Sequence, residues 1–488
     1  MLSIKTFAQF TVDQKSYSFH YQPEAGLFGD TIPFYWDGVH HIFYMNGKVD
    51  GLIGSWGHIV SIDLVHWYEL PEAISPGLPE SIDGINCMTG SIFFHEGIFH
   101  MFYTGFGNHG QTICLATSTD LICWDKDIRN PILVVDLTWY APDDWRDPLV
   151  MRSPDDSEFW MLIGAREKRT DDIYPYNACV ALAVSQDLIH WEVKPPFIKS
   201  GVMYMDCPDL FPLGNRWCLL IALRETAVRI ADTPYGPWQK MKRESADCIW
   251  AAAGKTLFDG NRRLIFPWLS GREGNTDYGN KHWGGRMLIA RELILDLVGS
   301  PVVKCPTEVI AIFSEEHLDV PNSLGFESDS HDWKMSRNYA EVDAMNEGAV
   351  AIIRNCPDDY LFAGSVTLST ESTTAAIFIR TSRLYHTEVD LGYQIVFEPD
   401  RSRISLRPLS LYDFDDVMSE IMYDFTPDQP VSFQLIVHGP VIELFCDEKY
   451  VLSANIYQYP QGGIALMARD GYVRFSQLSI RTMKEVNK

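Results

Sequence analysis

Three aspartates lie near the start of apolar segments that are far apart in the chain. Asp30 leads into Thr-Ile-Pro-Phe-Tyr, Asp147 into Pro-Leu-Val-Met and Asp206 into Cys-Pro-Asp-Leu-Phe. Carboxylates that share a pocket raise one another's pKa values, a cost that proteins tolerate mainly where catalysis or cation binding needs it. Two carboxyl groups flanking a sugar, one as nucleophile or base and one as proton donor, can cleave a glycosidic bond. Arg146 adds a fixed positive charge that can keep a carboxylate ionised or hold sugar hydroxyls.

Each aspartate taken alone also fits a structural role, because Asp often caps a turn and Asp-Pro is a common turn dipeptide. The shared position of the three in repeated segments favours a site. Asp209, three residues beyond Asp206, is expected to be a structural partner and is the substitute if Asp206 is not part of the site. Asp63, Asp120 and Asp187 recur in a repeated motif and are predicted to form turns.

That motif, Ser-x-Asp-Leu-x-x-Trp, stands at 61–67, 118–124 and 185–191 and closes three similar segments. Each segment has an apolar strand, a short polar turn and a second aromatic or aliphatic strand, and two looser copies follow. Five such units predict a five-bladed β-propeller, and a β-sandwich with coincidental repeats is the competing architecture. The innermost strands of a propeller surround its axis, so the three carboxylates are expected to face one pocket.

The tryptophans divide into two groups by position. Those within strands or repeated turns are predicted to pack in the core: Trp36, Trp67, Trp124 and Trp191. Those near the site end of a unit are equally compatible with packing and with stacking on a sugar ring: Trp56, Trp250 and Trp268. Phe28, two residues before Asp30, is a further candidate of the second kind.

The length of 488 residues exceeds one ordinary core, so two domains are expected. Residues 1–310 are assigned to the propeller. Residues 311–338 lose the aromatic strand rhythm and are predicted to be a linker. Residues 339–488 show many short alternating strands without helical period, which predicts an antiparallel β-sandwich. The expected fold class is therefore all-β.

A formal net charge of −25 repels phosphate backbones and anionic lipids, so nucleic acid and membrane are not expected as partners. The first residues lack the features of a secretory signal and no apolar stretch is long enough to span a bilayer, which predicts a cytoplasmic location. The ten cysteines include no Cys-x-x-Cys pair. Buried free thiols are expected, with no metal site and no organic cofactor.

Several segments carry a resemblance to a known family: Tyr17-Ser-Phe-His-Tyr-Gln-Pro, Trp56-Gly-His-Ile-Val-Ser, Thr89-Gly-Ser, Trp145-Arg-Asp-Pro and Asp206-Cys-Pro-Asp-Leu-Phe. The chain resembles glycoside hydrolase family 32, the invertase and β-fructosidase group, over nearly all of its length. The resemblance implies a retaining attack on a fructofuranosyl unit. It implies Asp30 as nucleophile, Asp147 as transition-state stabiliser through the sugar hydroxyls and Asp206 in the proton donor's position. The candidate substrate contacts are Arg146, Trp56, Thr89, Gly90, Phe28, Trp250 and Trp268.

Two departures from the family pattern bear on the chemistry. The family's Trp-Met-Asn-Asp-Pro-Asn-Gly is here Leu27-Phe-Gly-Asp-Thr-Ile-Pro, without the two asparagines that help to shape the sugar pocket in the family. Asp206 stands where the family usually has glutamate, which withdraws the acid by about 1.5 Å. Retention needs carboxyl groups about 5–5.5 Å apart and inversion about 6.5–9.5 Å, so the shorter side chain moves the site toward inversion unless the strand shifts.

The leading hypothesis is an exo-acting glycosidase for fructosides or related furanosides, with small carbohydrates as substrates. A second hypothesis is an inverting arabinofuranosidase or xylosidase, with Glu225 as one candidate for the acid or base. A third is a sugar-binding protein that has kept the pocket and lost or weakened the chemistry.

Overall fold

The computed structural model describes residues 18–47, 53–168, 176–223, 225–245, 247–314, 326–328, 333–336, 338–344, 348–353, 356–382, 391–409 and 416–484. These residues fold into antiparallel β-sheets, as the all-β prediction expects. Their helical content is one short α-helix, α1 (Thr307–Ala311), and two 3₁₀ turns at Glu273–Asn275 and Pro399–Arg401. A bilayer-spanning helix is not found within these ranges.

The strands up to residue 304 form five successive units, each beginning with a strand that ends at a tight polar turn. The first two units are β1 (Leu27–Trp36), β2 (Val39–Gly47), β3 (Ile53–Ser61) and β4 (Tyr68–Ile74), then β5 (Asn86–His95), β6 (Ile98–Gly107), β7 (Gly110–Ser118) and β8 (Asp125–Lys126). The third and fourth are β9 (Tyr140–Arg152), β10 (Phe159–Glu167), β11 (Ala178–Ser185) and β12 (Glu192–Lys199), then β13 (Asp206–Leu213), β14 (Arg216–Ala222), β15 (Thr226–Ala231) and β16 (Gln239–Ser245). The fifth is β17 (Ala251–Phe258), β18 (Arg263–Arg272), β19 (Lys281–Met287), β20 (Arg291–Leu295) and β21 (Pro301–Lys304).

The first strands of the five units lie side by side in a closed ring. β1 contacts β5, β5 contacts β9, β9 contacts β13, β13 contacts β17, and β17 contacts β1. β1 also pairs with β19, where Phe28 lies opposite Gly285, so the first and fifth units share one nine-stranded sheet. Residues that the sequence separates by more than 200 positions therefore meet at the centre of the ring.

The repeated Ser-x-Asp-Leu-x-x-Trp segments fold into the same turn three times. In the first copy the Asp63 carboxylate accepts hydrogen bonds from the backbone N–H groups two and three residues later, at 3.0 and 2.9 Å. The Trp67 indole N–H donates to the carbonyl of Leu64 at 3.2 Å. The other two copies repeat these bonds. The prediction that Asp63, Asp120 and Asp187 form turns is confirmed.

Two seven-stranded antiparallel sheets follow the five units and pack on a common apolar core. One contains β22 (Phe326–Ser328), β25 (Gly348–Ile353), β27 (Thr374–Ser382), β28 (Leu391–Glu398), β29 (Arg403–Leu409), β30 (Ser419–Met422) and β34 (Gly463–Arg469). The other contains β23 (Lys334–Ser336), β24 (Tyr339–Asp343), β26 (Tyr360–Leu368), β31 (Val431–His438), β32 (Val441–Cys446), β33 (Tyr450–Asn455) and β35 (Tyr472–Thr482).

The segment predicted as a linker, 311–338, lies largely outside the described residues. Two parts of it that are described, β22 and β23, pair with β25 and β24 and so extend the two sheets. This polar segment therefore contains two short edge strands. Edge strands accept charged and polar side chains more readily than central strands do.

A buried polar network joins the five units to the two sheets that follow. Arg291 is fully buried and donates to Asp247 at 2.8 Å, to the Glu443 carboxylate at 2.6 Å and to the Ser453 hydroxyl at 2.9 Å. The His20 Nε2 lies 2.8 Å from the other Glu443 oxygen. Asp247 and Arg291 belong to the first part of the chain and Glu443 and Ser453 to β32 and β33, so the network fixes one part against the other.

The ten cysteines are all free thiols. Eight are buried, Cys356 is half-buried and Cys123 is exposed. Burial raises the pKa of several of them, including Cys179 and Cys218 to about 12, which keeps these thiols protonated. The prediction of unpaired, mostly buried thiols is confirmed.

Candidate active site

A β-bulge at the same point of each inner strand positions the site. In β1, Gly29 lies opposite Met45 and Thr31 opposite Tyr44, so Asp30 is the extra residue. The other inner strands gain one residue in the same way, and the residues equivalent to Asp30 are Thr89, Asp147, Cys207 and Ala253. A bulge bends the strand and re-aims the side chain. Asp30 and Asp147 are thereby directed into the centre of the ring.

Asp206 lies one residue before its bulge and is equivalent to Arg146, not to Asp147. The prediction that Asp30, Asp147 and Asp206 occupy equivalent strand positions is therefore wrong for Asp206. The bulge residue of its strand is Cys207, which has a left-handed backbone with φ of 48°. The sequence carries a sign of this offset, because Pro148 directly follows Asp147, whereas Pro208 follows Cys207 and not Asp206.

The three aspartates nevertheless share one cavity of about 500 Å³ at the end of the ring. Its wall also contains Arg146 and three tryptophans, which are Trp250, Trp268 and Trp283. The cavity thus combines carboxylates, one guanidinium and aromatic faces, which suits a polar ligand that also has apolar ring surfaces.

Asp30 is held by two hydrogen-bond donors from neighbouring units. Its Oδ2 accepts from the Thr89 hydroxyl at 2.9 Å and its Oδ1 from the Trp268 indole N–H at 3.0 Å. Burial raises the pKa of Asp30, the two donors act against that increase, and the charge of Asp206 adds to it. The two donors fix both oxygens of the carboxylate and favour its ionised form.

Arg146 connects the other two carboxylates. Its guanidinium lies 2.9 Å from an Asp206 oxygen and 4.0 Å from Asp147 Oδ2. Asp147 Oδ2 also accepts a hydrogen bond from the backbone N–H of Cys207 at 3.0 Å. Burial raises the pKa of Asp147, and the positive charge of Arg146 opposes this. Asp144 pairs with Nη1 of Arg146, whereas Asp206 contacts Nη2, so both terminal nitrogens of the guanidinium are held.

Asp206 has 27% of its side chain exposed, whereas Asp147 is buried. Burial raises its pKa to about 6, the charge of Arg146 lowers it, and the charge of Asp147 raises it. Asp206 is therefore the carboxyl group that can be protonated under mildly acidic conditions while it stays accessible from the cavity.

The predicted contact residues separate into those in the cavity wall and those behind it. Arg146, Trp250 and Trp268 line the cavity. Trp56 and Phe28 are fully buried, contrary to the expectation of a sugar contact. The Trp56 indole N–H donates to the carbonyl of Met88 at 3.1 Å, and the Phe28 ring stacks on Tyr44. Both positions follow from strand alternation, which turns these rings into the core between units.

Thr89 and Gly90 also lie behind the wall. The Thr89 side chain is fully buried and reaches Asp30, so it positions a carboxylate and does not line the cavity. Gly90 accepts a hydrogen bond from the buried Lys255 ammonium at 2.7 Å through its carbonyl. A Cβ at Gly90 would meet the carbonyl of Phe102 at 1.8 Å, so its role is close packing of two strands.

Asp209 has the structural role expected of it. One of its oxygens accepts hydrogen bonds from the backbone N–H and the hydroxyl of Thr256, at 2.6 and 2.7 Å, which ties β13 to β17. Glu225, the candidate acid of the alternative glycosidase hypothesis, follows the cavity residue Leu223 but is not among the described residues of the wall.

Sequence analysis did not identify three cavity residues, Lys281, His282 and Trp283, at the start of β19. The Lys281 ammonium lies 4.1 Å from the centre of the Trp250 ring. Burial lowers the pKa of Lys281 to about 7, and Arg272 adds to this effect. The signal available in the sequence was a basic and aromatic run directly before Gly284-Gly285, at the site end of the fifth unit.

The chain matches a family model and is similar to several proteins of known activity. The model described as Glycosyl hydrolases family 32 N-terminal domain matches residues 20–306. An insoluble β-fructofuranosidase isoenzyme of Arabidopsis thaliana is 27% identical over 360 residues, which are 64% of this chain and 63% of that protein. A sucrose-6-phosphate hydrolase of Zymomonas mobilis is 25% identical over 364 residues, 67% of this chain and 68% of that protein.

The fold of the chain is also similar to that of a solved structure. Fructan 1-exohydrolase IIa from Cichorium intybus matches with a TM-score of 0.71 at 18% identity, covering 97% of each chain. The family model spans more than half of the 488 residues and includes the five inner strands with all three aspartates. The chain therefore belongs to glycosyl hydrolase family 32.

Proposed function

We propose that the protein is a glycoside hydrolase that removes terminal fructofuranosyl units from small carbohydrates with retention of configuration. The observation that carries this proposal is the convergence of Asp30, Asp147 and Asp206 on one cavity in a family 32 chain. The names of the relatives support the same sugar, since they include a β-fructofuranosidase, a sucrose-6-phosphate hydrolase and a fructan exohydrolase.

We infer that the five units are the blades of a five-bladed β-propeller and that the two seven-stranded sheets form a β-sandwich. The ring of inner strands supports five blades, because β17 contacts β1 and no further unit separates them in the described part of the ring. The pairing of β1 with β19 joins the first blade to the last.

In the first step, Asp30 attacks the anomeric carbon and the bond to the leaving oxygen breaks. Asp206 gives its proton to that oxygen, so the leaving group departs as a neutral alcohol and the sugar stays bound to Asp30 as an ester. In the second step, Asp206 takes a proton from a water molecule. The resulting nucleophile displaces Asp30 from the anomeric carbon, and Asp206 ends protonated as it began.

Asp147 stabilises the oxocarbenium-like transition state in this scheme, and Arg146 positions Asp206. The Asp147 carboxylate accepts hydrogen bonds from sugar hydroxyls and places negative charge beside the ring where positive charge develops. Arg146 holds Asp206 at 2.9 Å and fixes the position of the shorter acid.

The pH dependence of the reaction should reflect the protonation of Asp206. Its pKa is raised to about 6, so the protonated form is present below pH 6 and is lost as the pH rises. We expect kcat/KM to fall about tenfold per pH unit well above pH 6, because only the protonated acid can serve the leaving group. Asp206→Asn should remove this fall of kcat/KM at alkaline pH, the alkaline limb of the pH profile. The same variant should lower the rate on sucrose by roughly 10²- to 10⁴-fold.

The matched control for this profile is Asp187→Asn, at a half-exposed turn outside the cavity. Asp187→Asn should leave both the alkaline limb of the pH profile and the rate on sucrose unchanged. A substrate with a good leaving group, such as a 4-nitrophenyl fructofuranoside, should lose much less rate in Asp206→Asn, since it needs no proton donor. An alkaline limb that persists in Asp206→Asn would assign the proton donation to another group.

A panel of furanosides tests the proposed function itself. The wild type is incubated with sucrose, 1-kestose, short fructans, arabinofuranosides and xylosides, and released sugar is measured by reducing-end detection. Release from the fructosides supports the proposal, and release only from arabinosides or xylosides supports the inverting alternative. Binding without turnover on any of them contradicts both. NMR detection of the first anomer formed distinguishes retention, which gives β-fructofuranose, from inversion.

A further inference from the structure

A second cavity, of about 590 Å³, lies where the five units meet the two sheets that follow them. One wall is α1 with the residues on either side of it, and the other is formed by residues of β26, β31, β32 and β35. This junction cavity shares none of its described lining residues with the cavity that holds the three aspartates. Cavities of about 300–1,000 Å³ are typical of sites for small organic molecules, so the junction cavity has the size of a second site.

The junction cavity contains a guanidinium without a counter-ion. Arg481 belongs to β35 and lines the cavity. Its Nε is buried and has no hydrogen-bond partner among the described residues. Burial of a cation costs free energy unless an anion or a set of acceptors compensates for the lost water. The position of Arg481 is therefore suited to an anion that enters the cavity.

Two lysines add positive charge to the same walls. Lys304 ends β21, and Lys484 follows β35. The Lys304 ammonium lies 3.2 Å from a Glu292 oxygen, and the Lys484 ammonium donates to the carbonyl of Ala311 at 2.8 Å. These contacts hold both side chains at the cavity, where their charges add to the attraction for an anion.

The two acids of the cavity wall do not neutralise Arg481. Both oxygens of Asp447 are used, because Oδ1 accepts from the N–H and the hydroxyl of Ser432 at 2.8 and 3.0 Å and Oδ2 accepts from the Tyr423 hydroxyl. Glu448 is exposed to solvent. Burial lowers the pKa of Arg481, and neither carboxylate raises it. The guanidinium thus keeps its binding capacity for a ligand.

A β-bulge shapes the wall beside Arg481. Ala363 of β26 pairs with Ser479 of β35, and Ser365 pairs with Ser476, so β35 has one extra residue between these pairs. Gln477 lies in this bulge with a left-handed φ of 54°, and it lines the cavity. Bulges re-aim side chains and are frequent next to functional sites.

We propose that the junction cavity binds a small organic phosphate, with Arg481 as the main contact of the phosphate group. A dianionic phosphate offers a guanidinium two parallel charge-assisted hydrogen bonds. Inorganic phosphate alone would fill only a small part of 590 Å³. The amides of Gln434 and Gln477 line the remaining space and can bind the hydroxyl groups of an organic body. This binding does not depend on the proposed hydrolysis.

The first test measures binding to the full chain by calorimetry and by thermal unfolding, with ionic strength held constant by NaCl. The probes are glucose 6-phosphate, inorganic phosphate and glucose. Glucose 6-phosphate should bind at least about tenfold more tightly than inorganic phosphate, and glucose should not bind, because it lacks the charge. At about one hundred times its Kd, glucose 6-phosphate should raise Tm by about 2–3 °C.

The second test removes the guanidinium. Arg481→Met should weaken the binding of glucose 6-phosphate by about tenfold or more. Without ligand, its urea midpoint should be no lower than that of wild type, because the variant removes a buried charge that has no counter-ion. A guanidinium with a merely structural role would instead lower the midpoint. Arg474→Met is the matched control, since Arg474 is an exposed arginine of the same strand outside the cavity, and it should bind as wild type does.

A further variant tests the bulge and keeps the inference falsifiable if Arg481→Met does not fold. Gln477→Gly removes one amide, and glycine accepts the left-handed backbone at this position. The variant should bind glucose 6-phosphate about threefold to tenfold more weakly, which is the effect of one lost hydrogen bond. Its binding of inorganic phosphate should change less than twofold. Equal affinity of wild type and Gln477→Gly for glucose 6-phosphate would contradict the assigned position of the organic body.

Three results would overturn the inference. One is the absence of both heat and a Tm shift with glucose 6-phosphate up to about 10 mM. Another is an unchanged affinity in Arg481→Met, which would place the phosphate elsewhere. The third is competition by saturating D-fructose, which would place glucose 6-phosphate in the cavity with the three aspartates. Hydrolysis of fructosides by wild type is measured separately, and its absence would contradict the proposed function and not the phosphate site.

Discussion

Asp30→Asn should lower kcat on the best fructoside by on the order of 10⁴-fold or more, because an amide cannot form the ester with the anomeric carbon. The substitution keeps the size of the side chain, and its oxygen can still accept one hydrogen bond from Thr89 or Trp268. KM should therefore change little compared with kcat. The measurement is steady-state hydrolysis, with fructose binding followed separately by calorimetry.

A turn aspartate gives the matched control for this prediction. Asp187→Asn makes the same chemical change at a turn outside the cavity, where the carboxylate accepts hydrogen bonds from two backbone N–H groups and from Ser185 and pairs with His190. The kcat of Asp187→Asn should stay within twofold of wild type. Asp30→Asn with kcat within tenfold of wild type, and with unchanged fructose binding, would exclude Asp30 as the nucleophile.

The second large effect is expected on stability and not on chemistry. Arg291→Met should destabilise the protein by about 3–5 kcal/mol, because the change leaves two buried carboxylates, Asp247 and Glu443, without their shared counter-ion. Burial alone would raise the pKa of Glu443, but Arg291 and His20 lower it overall, so the carboxylate is held in its charged form. Urea unfolding followed by tryptophan fluorescence measures the loss.

Arg129→Met is the control for this prediction. Arg129 pairs with Asp127 at an exposed turn, where solvent screens the pair, so its loss should leave the urea midpoint unchanged. Arg291→Met with a midpoint equal to wild type would mean that the junction network does not hold the two parts together. Unfolding of Arg291→Met in two separate steps would locate the loss at the junction between the five units and the following sheets.

Much of the fold could be predicted from sequence because its signals are local. The hydrogen bonds that form the turn of the Ser-x-Asp-Leu-x-x-Trp motif join residues two or three positions apart, so the local pattern determines the turn. Alternating apolar residues and tight turns likewise identify the strands. The pairing of β1 with β19 has no local signal, because it depends on which units meet when the ring closes.

The site was predictable only in part, because some of its residues are placed by long-range pairing and not by local sequence. Asp30 and Asp147 were found because both stand at one position of a repeat. The offset of Asp206 was missed, although Pro148 and Pro208 align Asp206 with Arg146, and the paired register shows the bulge at Cys207. Trp56 was misplaced because distance along a strand does not tell which side of the sheet a ring faces. Trp283 was missed because its position depends on Gly29 and Gly47, more than 230 residues away.

The closure of the ring has a consequence for biosynthesis. Asp30 is among the first described residues to be translated, yet its partner Trp268 and its neighbour strand β19 are made more than 230 residues later. While the chain is still on the ribosome, β1 has an unpaired edge and its carboxylate lacks one of its two donors. Long-range pairing of this kind is slow, and an exposed edge invites aggregation until it is satisfied. Activity can therefore begin only after residue 287 has left the ribosome, so hydrolysis reports that the whole ring has been synthesised and closed.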